Sequence, residues 1–217
     1  MSLDSARTML LAAERALIVR YAALLRPDGL VVGTAGNLSL RSGDRVVITP
    51  SSVDYDELDA SLVCVVGRDG EVVEAELPPS SELPMHLAVY ESTNAGAIVH
   101  THAPYATTLA TVVDELPAIH YSIADLGGPV RVAQYATFGT DDLAETVREA
   151  LAGRSAVILG NHGTLTIGDT LEEAYSRSVL LEWLSALYYR ARLLGEPRIL
   201  PLDEIERVGE RLRAMRS

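Results

Sequence analysis

At 217 residues the chain can bury a substantial core, and a net charge of −12 argues against nucleic acid or an anionic membrane surface as its partner. All 18 of its basic residues are arginine, so a lysine Schiff base and a phosphate-loop lysine are excluded and carbonyl chemistry would need a metal. The charge does not forbid a small anionic ligand, which local dipoles can meet.

In chain order, residues 3–26 place Leu10, Leu11, Leu17, Ile18, Tyr21, Leu24 and Leu25 at helical spacing, which predicts a long amphipathic helix stopped by Pro27-Asp28-Gly29. This start carries acidic residues and no uninterrupted apolar segment. Neither a signal peptide nor a membrane span is expected, and the default location is the cytoplasm. In Val32-Gly33-Thr34-Ala35-Gly36-Asn37-Leu38-Ser39-Leu40-Arg41 the first half is small and glycine-bearing and the second alternates like a strand. Gly36 lets backbone amides approach a ligand and Asn37 adds a donor, so this is either an anion cradle or a plain turn. Val46-Val47-Ile48 predicts a strand running into the hydroxyl-rich turn Thr49-Pro50-Ser51-Ser52, and residues 62–66 predict another. Cys64 lies within it and reads as a core thiol. As the only cysteine, it excludes an internal disulfide and fits a reducing compartment. Asp69-Gly70 is a hairpin signal before Val72-Val73.

Leu83, Leu87 and Tyr90 share a helix face, with Pro84 tolerated in the first turn and Ser80 or Ser81 placed to cap it. The serines either only cap, or they help this helix start bind a phosphate. Glu82 suits a helix N-terminus by charge alone, and His86, one turn on, reads as a helix-face residue rather than a ligand.

Ala97-Ile98-Val99-His100-Thr101-His102-Ala103-Pro104 is the stretch with most chemical content. Side chains two apart on a strand share a face, so His100 and His102 point together with Thr101 opposed, and Pro104 ends the ladder. Two imidazoles at a sheet rim suit a metal, and zinc takes three protein ligands when it keeps a position open. Residues 106–113 then predict a short helix, 130–133 a strand, 141–151 a helix with acids in its first turn, and 156–159 a buried strand. That strand runs into Gly160-Asn161-His162-Gly163, which delivers a third imidazole at a strand end. Residues 171–194 and 203–215 predict two closing helices. No repeat, linker or low-complexity tract interrupts residues 1–217, which are expected to form one domain.

Thr34-Ala35-Gly36-Asn37, Thr49-Pro50-Ser51, Ser80-Ser81-Glu82, His100-Thr101-His102 and Asn161-His162-Gly163 occur in the order seen in the class II aldolase/adducin-head family, which the chain resembles over nearly its whole length. Pro117-Ala118-Ile119-His120-Tyr121 and Tyr135-Ala136-Thr137-Phe138-Gly139-Thr140 look like the branch that cleaves L-fuculose 1-phosphate. The resemblance implies an α/β fold with a central, largely antiparallel sheet flanked by helices, and a homotetramer with sites between subunits. It implies zinc on His100, His102 and His162, with Glu82 as acid/base and as a fourth ligand when no substrate is bound. It also implies a substrate phosphate held by Gly36, Asn37, Ser51, Ser52, Ser80 and Ser81, and Tyr121 as a proton donor. Two positions depart from the family. Glycine usually stands where Ser52 is, and the C-terminal tail carries no tyrosine.

The chemistry implied is reversible cleavage of a ketose 1-phosphate, L-fuculose 1-phosphate first among them, to dihydroxyacetone phosphate and a short aldehyde such as L-lactaldehyde. Zinc would supply Lewis acidity, a carboxylate the proton at carbon, and a phenol the proton at the aldehyde oxygen. Related branches imply alternatives: a sugar-phosphate epimerase, for which Asp125 would be a candidate proton carrier, a dehydratase, or a non-catalytic adducin-like assembly domain.

Overall fold

Short strands with a two-residue apolar period, separated by amphipathic helices, set the architecture. A computed structural model describes residues 9–216. Its strands are β1 (Asn37–Ser42), β2 (Arg45–Ile48), β3 (Cys64–Gly67), β4 (Val72–Glu74), β5 (Ala97–Thr101), β6 (Glu115–Leu116), β7 (Val130–Ala133), β8 (Ala156–Leu159) and β9 (Gly163–Gly168). The helices are α1 (Ala12–Leu25), α2 (Leu83–Ser92), α3 (Pro104–Leu109), α4 (Asp141–Leu151), α5 (Leu171–Leu194) and α6 (Leu202–Arg216), with a 3₁₀ helix at Tyr121–Leu126. The strands join one sheet in the order β4-β3-β2-β1-β5-β9-β8-β7-β6. Every pairing is antiparallel except β7 with β8.

Alternation sorts the core onto two faces. Val47, Val65 and Val99 pack with Ile18, Leu25 and Tyr175 of α1 and α5, whereas Val46, Ile48, Val66 and Ile98 pack with Met85, Val89 and Val147 of α2 and α4. Burying each such side chain contributes about 1.5–3 kcal/mol, and because β5 is buried on both faces a one-residue slip would carry Ile98 and Val99 each into the opposite core and mismatch both. The same register fixes which face His100 occupies. A third cluster, including Leu116, Ile123, Leu181 and Leu184, seals the 3₁₀ helix against α5.

Helices α4 and α5 have the predicted bounds, and Thr140 and Thr170 cap them by accepting from Leu143 and Glu173 amides. Other expectations need correction. Within the described residues the first helix begins at Ala12, because Leu11 takes a left-handed φ of 53° that no regular helix admits, and residues 3–8 of that expectation lie outside them. Pro104, pre-set for a first helical turn, starts α3 earlier than expected, and the helix ends at Leu109. Strand β9 went unassigned in the sequence, although Thr164-Leu165-Thr166-Ile167 alternates between glycines. Cys64 is buried as expected, and burial pushes its thiol up to about 11. Among the described residues no helix is long and apolar enough to cross a membrane.

Candidate functional site

The centre of the sheet places the first imidazole. His100 pairs across β5 with Asn37 of β1 and Leu165 of β9, and it shares the α2 side with Ile98. On the other face Thr101 and Thr164 join their hydroxyls at 2.7 Å, pinning the strand end. His100 is fully buried, and its Nδ1 donates to the Thr164 carbonyl at 2.7 Å. That bond fixes the tautomer, so the Nε2 lone pair faces the cavity.

His102 follows immediately, where the strand gives way to α3. His162 arrives on the three-residue connection between β8 and β9, where Asn161 takes a φ of 52° that asparagine tolerates better than most residues. The next residue must be small: a Cβ on Gly163 would sit 3.0 Å from the His102 ring. The three rings stand edge to face with centroids 5.0, 4.9 and 4.9 Å apart.

Glu82 completes the cluster from the start of α2. The expected serine cap is not what the structure shows. Glu82 itself is the N-cap residue and makes no side-chain cap bond, while Ser80 Oγ accepts from the Glu82 amide at 3.2 Å. The Glu82 carboxylate is therefore not spent on the helix end. Its Oε2 lies 3.0 Å from His100 Nε2 and accepts from Asn37 Nδ2 at 2.8 Å. Its Oε1 lies 3.2 Å from His162 Nε2 yet makes no hydrogen bond. Burial pushes the Glu82 carboxyl up, but the positive charge that the imidazoles carry when protonated, or that a cation between them would carry, outweighs it together with the Asn37 amide and holds the group well below the carboxylate range. Burial, with His100 and His162 nearby, pushes His102 down to about 4.

These atoms fit a metal. The ligand atoms of Glu82, His100, His102 and His162 all lie within 4.8 Å of one another. The His100 Nε2 lone pair faces His102 Nε2 at 3.1 Å and a carboxylate oxygen at 3.0 Å, an electron-rich arrangement that a cation among them turns attractive. Three neutral imidazoles and one carboxylate are a donor set of the zinc type.

Beside this cluster Gly36, Asn37, Ser51, Ser52, Ser80 and Ser81 line one cavity together with His102 and Glu82. Gly36 has a φ of 83°, and a Cβ there would meet the His100 carbonyl oxygen at 2.7 Å, so the close approach of β1 to β5 requires glycine. Ser52, where the resemblance leads one to expect glycine, takes a left-handed φ of 59°. The loops are tied together by Ser51 N–H on the Pro78 carbonyl at 2.9 Å and Ser80 N–H on that of Thr49 at 3.1 Å.

The structure thus brings together every predicted site residue except Tyr121. That residue begins the 3₁₀ helix, stands 55% exposed, stacks against His120 and does not line the cavity of its own chain. Asp125 lies 3.9 Å from the Arg177 guanidinium of α5. Three roles escaped the sequence reading. Tyr55 reaches the Ala35 and Gly36 carbonyls at 3.0 and 2.8 Å and so braces the glycine turn. Phe138 lines the cavity mouth from a loop. His86, expected on a helix face, is wholly buried and bonds Asn37 and Ser39. Helical spacing gave no sign of this, because both partners lie on β1.

The family model described as the class II aldolase and adducin N-terminal domain matches residues 16–189. A 5-deoxy-D-ribulose 1-phosphate aldolase of Bacillus thuringiensis serovar kurstaki is 42% identical over 94% of this chain and 97% of its own. A 5-methylthioribulose-1-phosphate/5-deoxyribulose-1-phosphate aldolase of Rhodospirillum rubrum is 42% identical over 85% of this chain and 84% of its own. A solved L-fuculose 1-phosphate aldolase superposes with a TM-score of 0.92 at 39% identity, covering 94% of this chain and 98% of the other.

Proposed function

Because the chain belongs to the class II aldolase and adducin N-terminal domain family and is a metal-dependent aldolase by that kinship, we propose that it cleaves a ketose 1-phosphate with a deoxy terminus, reversibly, to dihydroxyacetone phosphate and a short aldehyde. The observation that carries this reading is the meeting of Glu82 and three imidazoles beside a cavity lined by four serines. His100, His102 and His162 would hold zinc, with Glu82 beside them, and the ion would supply Lewis-acid stabilisation of the charge that develops as the carbon–carbon bond breaks. The hydroxyls of Ser51, Ser52, Ser80 and Ser81, with the Gly36–Asn37 turn and the amides of Ser52 and Ser81, bind the phosphate without a lysine, the amides of Ser51 and Ser80 being spent between the loops; the site lies at the start of α2, where the helix dipole favours an anion. Glu82 moves the proton at the carbon that leaves as dihydroxyacetone phosphate. Tyr121 serves the aldehyde oxygen from a neighbouring copy, since in its own chain it stands outside the cavity. A homotetramer with shared sites, in the cytoplasm, accommodates that arrangement.

Two sugar phosphates lead. The relatives at 42% identity are named for 5-deoxyribulose 1-phosphate, and the structure at 39% for L-fuculose 1-phosphate. Both would release an aldehyde ending in a methyl group, acetaldehyde or L-lactaldehyde, and Phe138 offers an apolar wall at the mouth. The test is a panel of these two ketose 1-phosphates with dihydroxyacetone phosphate and aldehyde both quantified. The reading expects equal amounts of the two products. An isomeric sugar phosphate with no free aldehyde would make the chain an epimerase, and loss of water a dehydratase.

A further inference from the structure

A buried series of hydrogen bonds ends on Glu82, and its proton order can be worked out. The ionised carboxylate only accepts, so the Asn37 atom 2.8 Å from Oε2 is the amide nitrogen, and the amide oxygen faces His86. That oxygen also only accepts, so His86 Nε2, 2.6 Å away, carries the proton. His86 Nδ1 is then a lone pair and receives the Ser39 hydroxyl at 2.7 Å. The Ser39 oxygen in turn accepts from the Tyr90 hydroxyl at 2.8 Å. Every donor therefore points toward the carboxylate, from Tyr90 through Ser39, His86 and Asn37 to Glu82. All five residues are buried, so bulk water does not compete for the bonds between them. Burial pushes His86 down to about 3 and keeps it neutral.

The Asn37 amide is nearly symmetric in shape. Turned over, it would set its oxygen against the Glu82 carboxylate and its nitrogen against the N–H of His86, with two repulsive contacts. A change of His86 tautomer would relieve the second contact only by turning the Ser39 hydroxyl toward that of Tyr90, so an imidazole held in its tautomer from the Ser39–Tyr90 side supports the orientation in which Asn37 donates to Oε2. Meanwhile Oε1 makes no hydrogen bond.

We propose that His86 is a positioning residue for proton transfer: by orienting the Asn37 amide it holds Oε2 of Glu82 and leaves Oε1 as the atom that exchanges a proton with the substrate. The inference rests on the aldolase reading. In heavy water Oε1 takes the proton from the hydroxymethyl carbon of dihydroxyacetone phosphate, trades it with solvent and returns a deuteron to the same carbon.

The test measures that exchange with the zinc-loaded chain, together with KM for dihydroxyacetone phosphate, zinc content and Tm. The variants are His86→Gln, whose amide reaches the Nε2 position and can donate to Asn37, His86→Asn, whose shorter amide serves only Ser39, and His86→Phe, which serves neither. His86→Gln should stay within about threefold of the unaltered chain, while the other two lose at least about tenfold in exchange rate, with KM and zinc content unchanged. If His86→Phe fails to fold, the Gln–Asn pair decides. Equal losses in Gln and Asn, or full exchange in Asn, overturn the positioning role. No exchange by the unaltered chain would instead sink the aldolase reading itself.

Discussion

Beneath the cavity Asn37, Glu82, His86 and His100 are buried and each meets a polar partner of its own chain, whereas on the surface Tyr121, Trp183 and Leu194 stand 55%, 47% and 92% exposed. The buried half is over-determined. β1, β5 and α2 each fix one side chain relative to another, and a single chain suffices to assemble the metal cluster. At the exposed half the side chains meet by ring contact: His120 lies 4.5 Å from the Tyr121 ring and 5.0 Å from that of Trp183 on α5. On the proposed reading, charge stabilisation belongs to the rigid sheet and the proton at the aldehyde oxygen to Tyr121 on the exposed surface. Such a division makes the two halves separable by experiment.

The largest effect belongs to the buried half. His162→Ala should lose bound zinc and turnover together, the rate falling at least ~10²-fold, as metal analysis alongside product release would show. Normal turnover without zinc would erase the distinction. Glu82→Gln should keep the fold yet slow proton exchange on dihydroxyacetone phosphate by about 10²–10⁴-fold; unchanged exchange clears Glu82 of the role. The exposed half gives a smaller effect: Tyr121→Phe should cost on the order of 10²-fold in cleavage with zinc content and Tm unchanged. Mixing Tyr121→Phe with Glu82→Gln chains should restore part of the activity if copies share sites, and no restoration would return Tyr121 to its own chain.

Acid sharpens the contrast through stability. His86 and His102 titrate near 6.5 when unfolded but are pushed to about 3 and about 4 when folded. Between these values the unfolded chain binds more protons, so stability of the zinc-free chain should fall as pH drops from 6.5 toward 4, by on the order of a few kcal/mol. A flat Tm across that range contradicts the buried, neutral assignment. The smallest effect lies at the rim. Ser52 holds a left-handed φ of 59°, and Ser52→Gly should relieve that strain for a net gain of at most ~1 kcal/mol, read from urea midpoints. A loss would mean that the Ser52 hydroxyl supports the loop.

What the sequence disclosed follows the same divide. Periodicity, with acids in the first turn of α4, marked α4 and α5 to the residue, and the order of histidine motifs named the imidazoles that meet at Glu82, because those signals are local. Contacts between distant segments were not legible. His86 lies 49 positions from Asn37, and a buried imidazole has the same helical spacing as a surface one. Tyr55 sits in a loop with no period, and β9 was masked by threonines that face inward, Thr166 toward Ser178 and the Ala174 carbonyl and Thr164 toward Thr101. Tyr121 was named by motif, but only coordinates show that it stands outside the cavity.

The most direct measurement is cleavage of 5-deoxyribulose 1-phosphate and L-fuculose 1-phosphate by one preparation before chelation, after it, and after zinc is restored. The account predicts release of dihydroxyacetone phosphate that disappears with the metal and returns with it, in proportion to zinc bound. Cleavage that continues at the same rate in protein shown to be free of metal would contradict it.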